Sequence, residues 1–452
     1  MENFRAMEKN LFDVILIGAG PAGLFAADKL SEKGISVLVI EGGGEPLKRK
    51  NVSFGIGGAG AYSDGKLNLT HRIGGDPHTF GRTSEDVESA ITEVDDVFTS
   101  LGVEGGYSGT NGKDLDNLLR SANAVGVEFI FAKQRHIGTD RLHFITERFY
   151  KKLIRKGVKF RINTQVESIV RKRDTFNLMC GEETFKAKAI IAAPGRAGAY
   201  WLREQSKKLG VKSMYGPIDV GIRVEFPAVI YSKIAEVMYD AKFRLYSKSY
   251  DDLVRTFCTN PNGFIVSEKY DEFALVNGHA KWSSKTNNTN FALLSRVTLT
   301  DPVEDTTKYG RDIARLATTI GGGKPIIQRL TDFIAGRRST WSRIGRSSIV
   351  PTLNDATPGD IAMAFPHRIV TNLIEGLNVL NKIITGLHSN NTLLYAPEIK
   401  FYDTKYNVTP DMETTCKNFF VAGDACGHSR GIVYSAVTGM FAAAGVLDRL
   451  KA

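Results

Sequence analysis

The sequence predicts an α/β protein in which a parallel sheet packed in three layers forms one domain and a β-rich α+β region forms a second. Three observations support this prediction. A short apolar strand, a glycine turn, an amphipathic helix and a second strand follow one another in residues 12–41. A further strand, glycine turn and small-residue helix stand in residues 418–450. Between residues 205 and 395, several segments alternate apolar and polar side chains, which is typical of a mixed or antiparallel sheet.

The order of these segments predicts that the first domain is discontinuous. We expect it to comprise residues 10–204 and 396–452, with a helical insertion at 76–135, and the second domain to comprise residues 205–395. A chain of 452 residues exceeds what one hydrophobic core usually supports, so two or more domains are the expectation.

Composition places the chain among ordinary globular proteins. No run approaches the roughly 18 apolar residues of a membrane span, and the N-terminal MENFRAMEKN lacks the apolar core of a signal peptide. The four cysteines form no CxxC pair, so we expect no disulfide framework, no metal site and a cytoplasmic setting. The 59 Lys and Arg against 49 Asp and Glu give a net charge of +10, which favours anionic partners without predicting stable nucleic-acid binding.

The first glycine cluster has the context of a Rossmann-type dinucleotide site. Gly18 makes the turn after the first strand, Gly20 lets the backbone approach a pyrophosphate, and Gly23 permits close helix–strand packing. The second strand ends on Glu41, a carboxylate placed to accept hydrogen bonds from an unphosphorylated ribose, as in FAD or NAD. The cofactor contacts predicted here are Gly18, Gly20, Pro21, Ala22, Gly23, Glu41 and Gly42.

Two later segments favour FAD over NAD because they return to the nucleotide. The phrase NFFVAGDACG ends a strand on Gly423 and Asp424, an acid suited to a ribityl hydroxyl or a pyrophosphate. The helix that follows starts near Gly431 and Ile432, and its N-terminus can stabilise negative charge on a reduced flavin. A strand-turn-strand unit at 157–170 and the strand at 188–195 supply the middle of the domain.

A second GxGxxG, at residues 55–60, fails as another Rossmann motif. The segment before it is polar, and Ser63, Asp64 and Gly65 interrupt any helix after it. The longer phrase GGAGAYSDGK instead predicts a loop whose backbone amides approach flavin and phosphate atoms. The predicted contacts in this loop are Gly57, Gly58, Ala59, Ser63 and Asp64.

Several phrases together resemble a known family. NVSFGIGGAGAYSDGKL, HIGTD, DVGIRVE, RTFCTNPNGFIV, VNGHA and GHSRGIVYSAVTG occur in this order over nearly the whole chain. The chain is similar in them to the uncharacterised FAD-dependent dehydrogenases of the two-domain, glutathione-reductase-like flavoprotein superfamily. It departs from the family pattern at TLLYAPEIKFY and at residues 423–431.

The resemblance implies noncovalent FAD and adds further site residues. It implies an adenine contact near Val166 and an APG turn, with Ala193 and Gly195, beside the first nucleotide loop. It also implies that the sheet of the second domain covers the open face of the flavin.

The substrate side offers fewer signals. A hydride transfer needs a nearby proton donor or acceptor, for which His428 and Tyr434 have suitable chemistry, and Arg430 can hold a carboxylate or an enolate. These three are the predicted catalytic residues. Candidate substrate contacts on the second sheet are Arg223, Thr256, Cys258 and Asn277, although pairing near Glu225 or simple burial is the competing interpretation.

The segment 336–351 places four arginines around one tryptophan. Arg337, Arg338, Arg343 and Arg346 surround Trp341 in the sequence. Arginine beside an aromatic ring can bind anions, but the pattern is also that of a solvated basic loop, which we favour.

The preferred function is an FAD-dependent oxidoreductase, a dehydrogenase or C=C reductase acting on a small organic, anionic substrate. No second nucleotide-binding motif is present for NAD(P)H, so we expect NAD(P)H as a transient reductant, a quinone or an electron-transfer protein as redox partner. A flavin-dependent monooxygenase is the first alternative, against which Ala193-Pro194-Gly195 counts. A flavin-binding RNA-modification factor or a noncatalytic redox module is the second. The sequence leaves the oligomeric state open.

Overall fold

The structure, a computed structural model, describes residues 11–49, 51, 54–63, 65–109, 112–270, 272–281, 283–299, 305–401 and 404–451. It divides into two compact units. Unit 1 comprises residues 1–106, 135–216 and 402–452, and unit 2 comprises residues 107–134 and 217–401. The sheets and helices of each unit are described separately below.

The helices and strands follow in chain order. The helices are α1 (Pro21–Ser31), α2 (Ser84–Ser100), α3 (Lys113–Asn123), α4 (Thr139–Arg155), α5 (Ala199–Lys208), α6 (Ser232–Val237), α7 (Thr306–Ile320), α8 (Leu330–Ile334), α9 (Trp341–Ile344), α10 (His367–Leu380) and α11 (Ile432–Lys451). The strands are β1 (Leu11–Ile17), β2 (Val37–Ile40), β3 (Lys66–Leu69), β4 (Glu128–Ile130), β5 (Lys133–His136), β6 (Lys159–Arg161), β7 (Ser168–Lys172), β8 (Thr175–Cys180), β9 (Glu183–Ala192), β10 (Ser213–Tyr215), β11 (Ile218–Pro227), β12 (Lys242–Tyr246), β13 (Leu253–Asn260), β14 (Phe264–Lys269), β15 (Ala274–His279), β16 (Asn288–Val297), β17 (Ile326–Arg329), β18 (Thr357–Pro358), β19 (Leu393–Phe401), β20 (Thr404–Tyr406) and β21 (Phe419–Val421).

The core of unit 1 is a sheet with parallel central strands. Its order is β6-β2-β1-β9, with β21 also parallel to β9 and with β8 and β7 antiparallel beyond β9. Strand β1 therefore has β2 on one side and β9 on the other, which is the strand-order reversal where α/β sheets bind ligands at their carboxyl ends. Its apolar run is almost fully buried, as a parallel strand with both faces covered requires.

Helices α1 and α11 pack closely in unit 1 because small residues meet at their contact. A Cβ atom added to Gly439 of α11 would overlap the backbone oxygen of Ala22 in α1. Ala436, Ala442 and Ala443 of α11 each have an exposed fraction of zero. The sequence expected this helix, and its composition lets it approach α1 at backbone distance.

Unit 2 is built on a mostly antiparallel sheet of eight strands. The order is β18-β17-β19-β11-β16-β13-β12-β4, and among the described strands of this sheet only β17 and β18 pair in parallel. Helix α10 packs on one face, where Gly376 lies against Val254 and Leu293. In β11, every second residue from Ile218 to Phe226 is apolar and lies on one face of the strand. The other face carries charged residues, which are also buried.

The division of the chain differs from the expected one at residues 205–216, which lie in unit 1, at residues 396–401, which lie in unit 2, and in one longer segment. Residues 107–134, expected within a helical insertion of the first domain, lie in unit 2. The reason is strand pairing, since β4 joins the edge of the eight-stranded sheet through Phe129, which faces Phe243 of β12. Such a pairing between distant segments leaves no local signal in the sequence.

Candidate functional site

The first glycine loop has the close contacts that the sequence predicts. Strand β1 ends at Ile17, and the Gly18 amide donates to the Ile40 oxygen at 2.8 Å. A Cβ atom at Gly18 would overlap the Ala193 oxygen, and one at Gly23 would overlap the Gly18 oxygen. These approaches bring the ends of β1, β2 and β9 together at one edge of the sheet.

Glu41 joins three glycine-rich segments at that edge. One carboxylate oxygen accepts from the Ala19 amide at 2.8 Å, and the other accepts from the amides of Gly43 and Gly55, each at 2.9 Å. A carboxylate has about four lone-pair positions, so three are used by the protein itself. The sequence predicted Glu41 as a ribose contact and did not foresee that it also fixes the loops around it.

The second glycine cluster lies directly on the first. The Gly57 amide donates to the Ala19 oxygen at 2.7 Å, and a Cβ atom at Gly58 would lie 3.2 Å from the Cα of Gly20. Ala59 begins a short 3₁₀ turn, and the Ser63 hydroxyl closes it by donating to the Gly60 oxygen at 2.8 Å. Asp64, another predicted contact, lies outside the described residues.

Arg49 holds this loop, a role that sequence reasoning missed. Its guanidinium donates to the oxygens of Phe54 at 2.9 Å and Gly58 at 2.6 Å, and it lies 4.4 Å from the centre of the Tyr62 ring. The Tyr62 hydroxyl in turn donates to the Pro46 oxygen at 2.9 Å. The signal in the sequence was an arginine a few residues before a glycine run, which is too common a pattern to be specific.

The middle and C-terminal segments come to the same edge. The Ala193 amide donates to the Ile17 oxygen at 2.8 Å. The Gly423 amide donates to the Thr438 hydroxyl oxygen at 3.0 Å, and the Ser435 hydroxyl donates to the Asp424 carboxylate at 2.8 Å. Val166, the expected adenine contact, is buried between β6 and β7.

Four glycines of these segments border open space, and this leaves room for a dinucleotide beside the backbone. A Cβ atom added at any of them would have no other atom within 4 Å. A pyrophosphate can approach closely where the backbone carries no side chains at the edge of a parallel sheet. Here the N-terminus of α1 also lies next to that edge. These glycines are Gly20, Gly42, Gly195 and Gly431.

His428 is buried and held at both ring nitrogens. Nε2 lies 2.8 Å from the Tyr406 oxygen and Nδ1 lies 3.1 Å from the Thr79 hydroxyl, so the ring donates through Nε2 and accepts through Nδ1. Burial lowers the pKa of His428 to about 4, which keeps the imidazole neutral near pH 7. The structure therefore corrects the expectation of a catalytic proton donor or acceptor at His428, because both ring nitrogens already have protein partners.

Tyr434 and Arg430 are covered by a glycine pair that the sequence analysis did not single out. The Arg430 amide donates to the Gly74 oxygen at 2.6 Å, and a Cβ atom at Gly75 would lie 2.6 Å from the Cζ of Tyr434. The Arg430 guanidinium donates to the backbone oxygens of Asp424 and Ser429. Burial raises the pKa of Tyr434 above its usual range, and its hydroxyl has no hydrogen-bond partner among the described residues.

Arg223, a candidate substrate contact, is instead a fully buried structural centre of unit 2. Its exposed fraction is 0%, and it forms a two-pronged ion pair with Glu398, with both N–O distances 2.7 Å. The other donors reach the Cys258 oxygen at 2.8 Å, the Asn290 side chain at 3.3 Å and the Asn277 side chain at 3.0 Å. All five N–H groups of the guanidinium are thus used by the protein, so the substrate role is corrected.

The other three candidates do not form one site, and Asn277 lies on β15, which pairs with β14 in a separate two-stranded sheet. Cys258 and Asn277 meet at Arg223, the first through its backbone oxygen and the second through its side chain. Thr256 points to the other face, where its hydroxyl accepts from the Phe243 amide at 2.9 Å. The competing interpretation also needs correction, because Glu225 bonds with Thr352 and Tyr395 while Arg223 pairs with Glu398.

The arginine-rich segment 336–351 is a surface in the structure. Trp341 is 50% exposed. Arg337 is tied to the buried Asp332 at 2.7 Å, and Arg343 donates to the Arg338 oxygen at 2.8 Å. The segment exposes three of its four arginines and Trp341 while Ile344 and Ile349 are buried, and it contains the short helix α9 where a loop was expected. Among the described residues, no group of three or more His, Cys, Asp or Glu is arranged to hold a metal ion, and no helix is long and apolar enough to cross a membrane.

Two family models match the chain. The model of an FAD binding domain matches residues 12–49, within unit 1. The model of an FAD-dependent protein, C-terminal domain-like, matches residues 217–400, within unit 2. These matches support an FAD-dependent oxidoreductase, as the sequence predicts, and the predicted fold class is confirmed. The glutathione-reductase-like label stays a prediction.

Individual proteins resemble the chain either at low identity over most of its length or at higher identity over a short segment. An uncharacterized protein of Clostridium beijerinckii is 24% identical over 478 residues, covering 96% of this chain and 80% of that protein. A thiamine thiazole synthase of Archaeoglobus fulgidus is 50% identical over 48 residues, which are 11% of this chain and 16% of that protein. The match to the structure of glycine oxidase from Geobacillus kaustophilus covers 97% of this chain and 95% of that chain, with 14% sequence identity and a TM-score of 0.42. That of 3-ketosteroid-delta4-(5alpha)-dehydrogenase from Rhodococcus jostii RHA1 shares 12% identity over 96% of each chain, with a TM-score of 0.44.

Proposed function

We propose that the protein is an oxidoreductase that binds FAD noncovalently in unit 1 and transfers hydride between the flavin and a small organic anion. One observation carries this proposal. The first glycine loop, Glu41, the loop at 55–63, the APG turn and the Gly423 turn meet at the carboxyl edge of one parallel sheet. This edge, beside the reversal of strand order, is where α/β sheets bind dinucleotides.

Different residues of this edge bind different parts of the cofactor. The N-terminus of α1, preceded by Gly20, binds the pyrophosphate through backbone amides and the helix dipole. Glu41 accepts from a ribose hydroxyl at its remaining lone-pair position while keeping its three amide partners. The N-terminus of α11 at Ile432 supplies a partial positive charge. FAD, when bound, accepts or donates a hydride equivalent at its isoalloxazine ring.

The predicted catalytic residues act in this proposal by positioning more than by proton exchange. Arg430 fixes the turn that carries Asp424, since its guanidinium donates to the Asp424 oxygen. His428 ties this turn to Tyr406 and Thr79 as a neutral ring. Tyr434 packs against Gly74 and Gly75. A proton that accompanies hydride transfer then comes from the substrate side or from solvent.

We propose the same three redox partners that the sequence suggests. Either NAD(P)H acts as a transient reductant, or a quinone or an electron-transfer protein exchanges electrons with the flavin. Anaerobic mixing of the FAD-loaded protein with NADH, NADPH and a panel of small carboxylates tests this, with flavin bleaching as the signal. Reoxidation by dioxygen, a quinone or a soluble one-electron acceptor then identifies the oxidant. A flavin that no donor in the panel reduces, although dithionite does, contradicts the proposal of an oxidoreductase for small anions.

A further inference from the structure

One aromatic ring of unit 2 is surrounded by cations. The centre of the Phe257 ring lies 5.0 Å from the guanidinium carbon of Arg255, 5.1 Å from the ammonium of Lys242 and 5.5 Å from the ammonium of Lys400. Each distance is within the range of a cation–π contact. Three like charges around one ring also repel one another, so the arrangement favours an anion beside the ring.

The strand register explains why these side chains converge. In β11, Asp219 stands between Arg296 of β16 and Lys400 of β19, its direct neighbours on the two adjoining strands. Arg255 of β13 reaches across to the same carboxylate, with its Nε 2.9 Å from an Asp219 oxygen. Phe257 lies two residues beyond Arg255 on the same strand, and therefore on the same face.

The acids of this group are more deeply buried than its cations. Burial alone would raise the pKa of Asp219, but Arg255 and Arg296 outweigh it and lower that pKa to about 2, so the carboxylate stays charged. The side chains of the acids Asp219, Glu398 and Asp240 are 0%, 0% and 3% exposed. Those of the cations Lys242, Lys400, Arg255 and Arg296 are 8%, 12%, 13% and 34% exposed.

The charges of these ion pairs, taken over the described residues, sum to a positive value. Among the described residues, these ion pairs join five cations, Arg223, Lys242, Arg255, Arg296 and Lys400, to three acids, Asp219, Asp240 and Glu398, so the eight paired groups carry an excess of two positive charges. Each cation has an acid as its ion-pair partner, which holds the side chain in place. An ordered group of cations with an excess charge binds an anion without first losing side-chain entropy.

We propose that this group, the Phe257 site, binds the carboxylate of a small substrate whose apolar part packs on the Phe257 ring. Lys400 and Lys242 contact the carboxylate as ammonium donors, and Arg255 completes the positive field. The ring supplies apolar surface at an otherwise charged place, which favours an aromatic or branched carboxylate over a bare inorganic anion. That such a compound is also the redox substrate rests on the proposed function, whereas its binding does not.

Calorimetric titration with benzoate tests the binding. The probe is compared with benzyl alcohol, which has the same ring and no charge. We expect saturable benzoate binding that weakens as salt rises, and benzyl alcohol binding at least tenfold more weakly.

Two variants assign the binding to this site. Lys400→Met removes one cation while Glu398 keeps its two-pronged bond to Arg223, so the sheet stays supported. We expect benzoate affinity to fall about tenfold, and Lys400→Arg to restore most of it. Lys281→Met is the matched control, because Lys281 lies over another ring of unit 2, that of Phe264, at 5.5 Å. Its removal should leave benzoate affinity unchanged.

The results separate this proposal from that of the cofactor. Equal losses in Lys400→Met and Lys281→Met, or no saturable benzoate binding by folded wild-type protein, overturn the Phe257 site whatever the FAD content. Benzoate binding with the expected pattern by a protein that does not take up FAD supports the site and contradicts the oxidoreductase. Unfolding curves of each variant show whether a loss of binding reflects a loss of fold.

Discussion

The backbone amide of Gly57 donates a hydrogen bond to the backbone oxygen of Ala19 at a distance of 2.7 Å. This bond joins the two glycine clusters of the chain, which in the sequence look like two competing dinucleotide motifs. Only the first follows a buried strand and opens a helix. The second is a loop laid over the first, and Arg49 and Glu41 hold it there.

Replacing Gly58 should weaken FAD binding before it weakens the fold. Its φ of +58° and ψ of −161° disfavour any residue with a Cβ, and the added atom would lie 3.2 Å from Gly20. We expect Gly58→Ala to lower FAD affinity at least tenfold in fluorescence titrations of the apoprotein. Gly34→Ala is the control, since Gly34 also has a positive φ, of +70°, but faces open space away from the loop. Equal FAD affinities in the two variants would contradict the assignment of this loop.

The role of Arg49 should depend on the forked shape of its guanidinium group. Its two bonds to Phe54 and Gly58 need a guanidinium, because an ammonium cannot span both oxygens from one planar group. We expect Arg49→Lys to lose about tenfold in FAD affinity and Arg49→Met to lose more. Lys48→Met, which removes the neighbouring exposed cation, should change little. Full affinity in Arg49→Met would show that the loop is held without this residue.

Arg223 should matter for stability and not for substrate. Arg223→Met leaves the Glu398 carboxylate buried with only Lys400 as a cationic partner in the described network, and we expect a loss of about 3 kcal/mol in urea unfolding. The double variant Arg223→Met, Glu398→Leu should recover part of this loss, because it removes the stranded charge together with its partner. A single variant as stable as the wild type would be incompatible with the buried ion pair.

His428 should make stability depend on pH in one acidic window. Its folded-state pKa of about 4 is below the ordinary value of 6.5, so the unfolded chain binds the proton first. Stability is therefore retained above pH 6.5 and lost as pH falls from 6.5 towards 4, by as much as about 3 kcal/mol. Urea unfolding of wild type and His428→Gln across this range measures the effect. The variant should show a shallower slope, whereas replacement of the exposed His388 by Gln should not.

Local patterns in the sequence predicted much of unit 1. The strand expected at 12–17 is found at Leu11–Ile17, and the one expected at 35–40 is found at Val37–Ile40. Both could be predicted because a short apolar run bounded by a glycine turn or a polar segment specifies a buried strand by itself. The helix after Gly431 was predicted because a long run of small and apolar residues follows a glycine turn there.

Contacts between distant segments could not be predicted in this way. Glu398, the ion-pair partner of Arg223, is 175 residues away in the chain, and no periodicity relates the two positions. The glycine pair that covers Tyr434 precedes it by more than 350 residues. The Phe257 site was missed although Thr256 and Cys258 were both singled out, because alternation along a strand does not say which of the two faces bears the charges.

The most direct test of FAD binding is the flavin content of the purified protein. We expect a yellow protein with a flavin absorbance spectrum, about one FAD per chain released on denaturation without covalent attachment, and restoration of that spectrum when FAD is added to the stripped apoprotein. A folded protein that is colourless and that FAD does not reconstitute would contradict FAD binding by this chain.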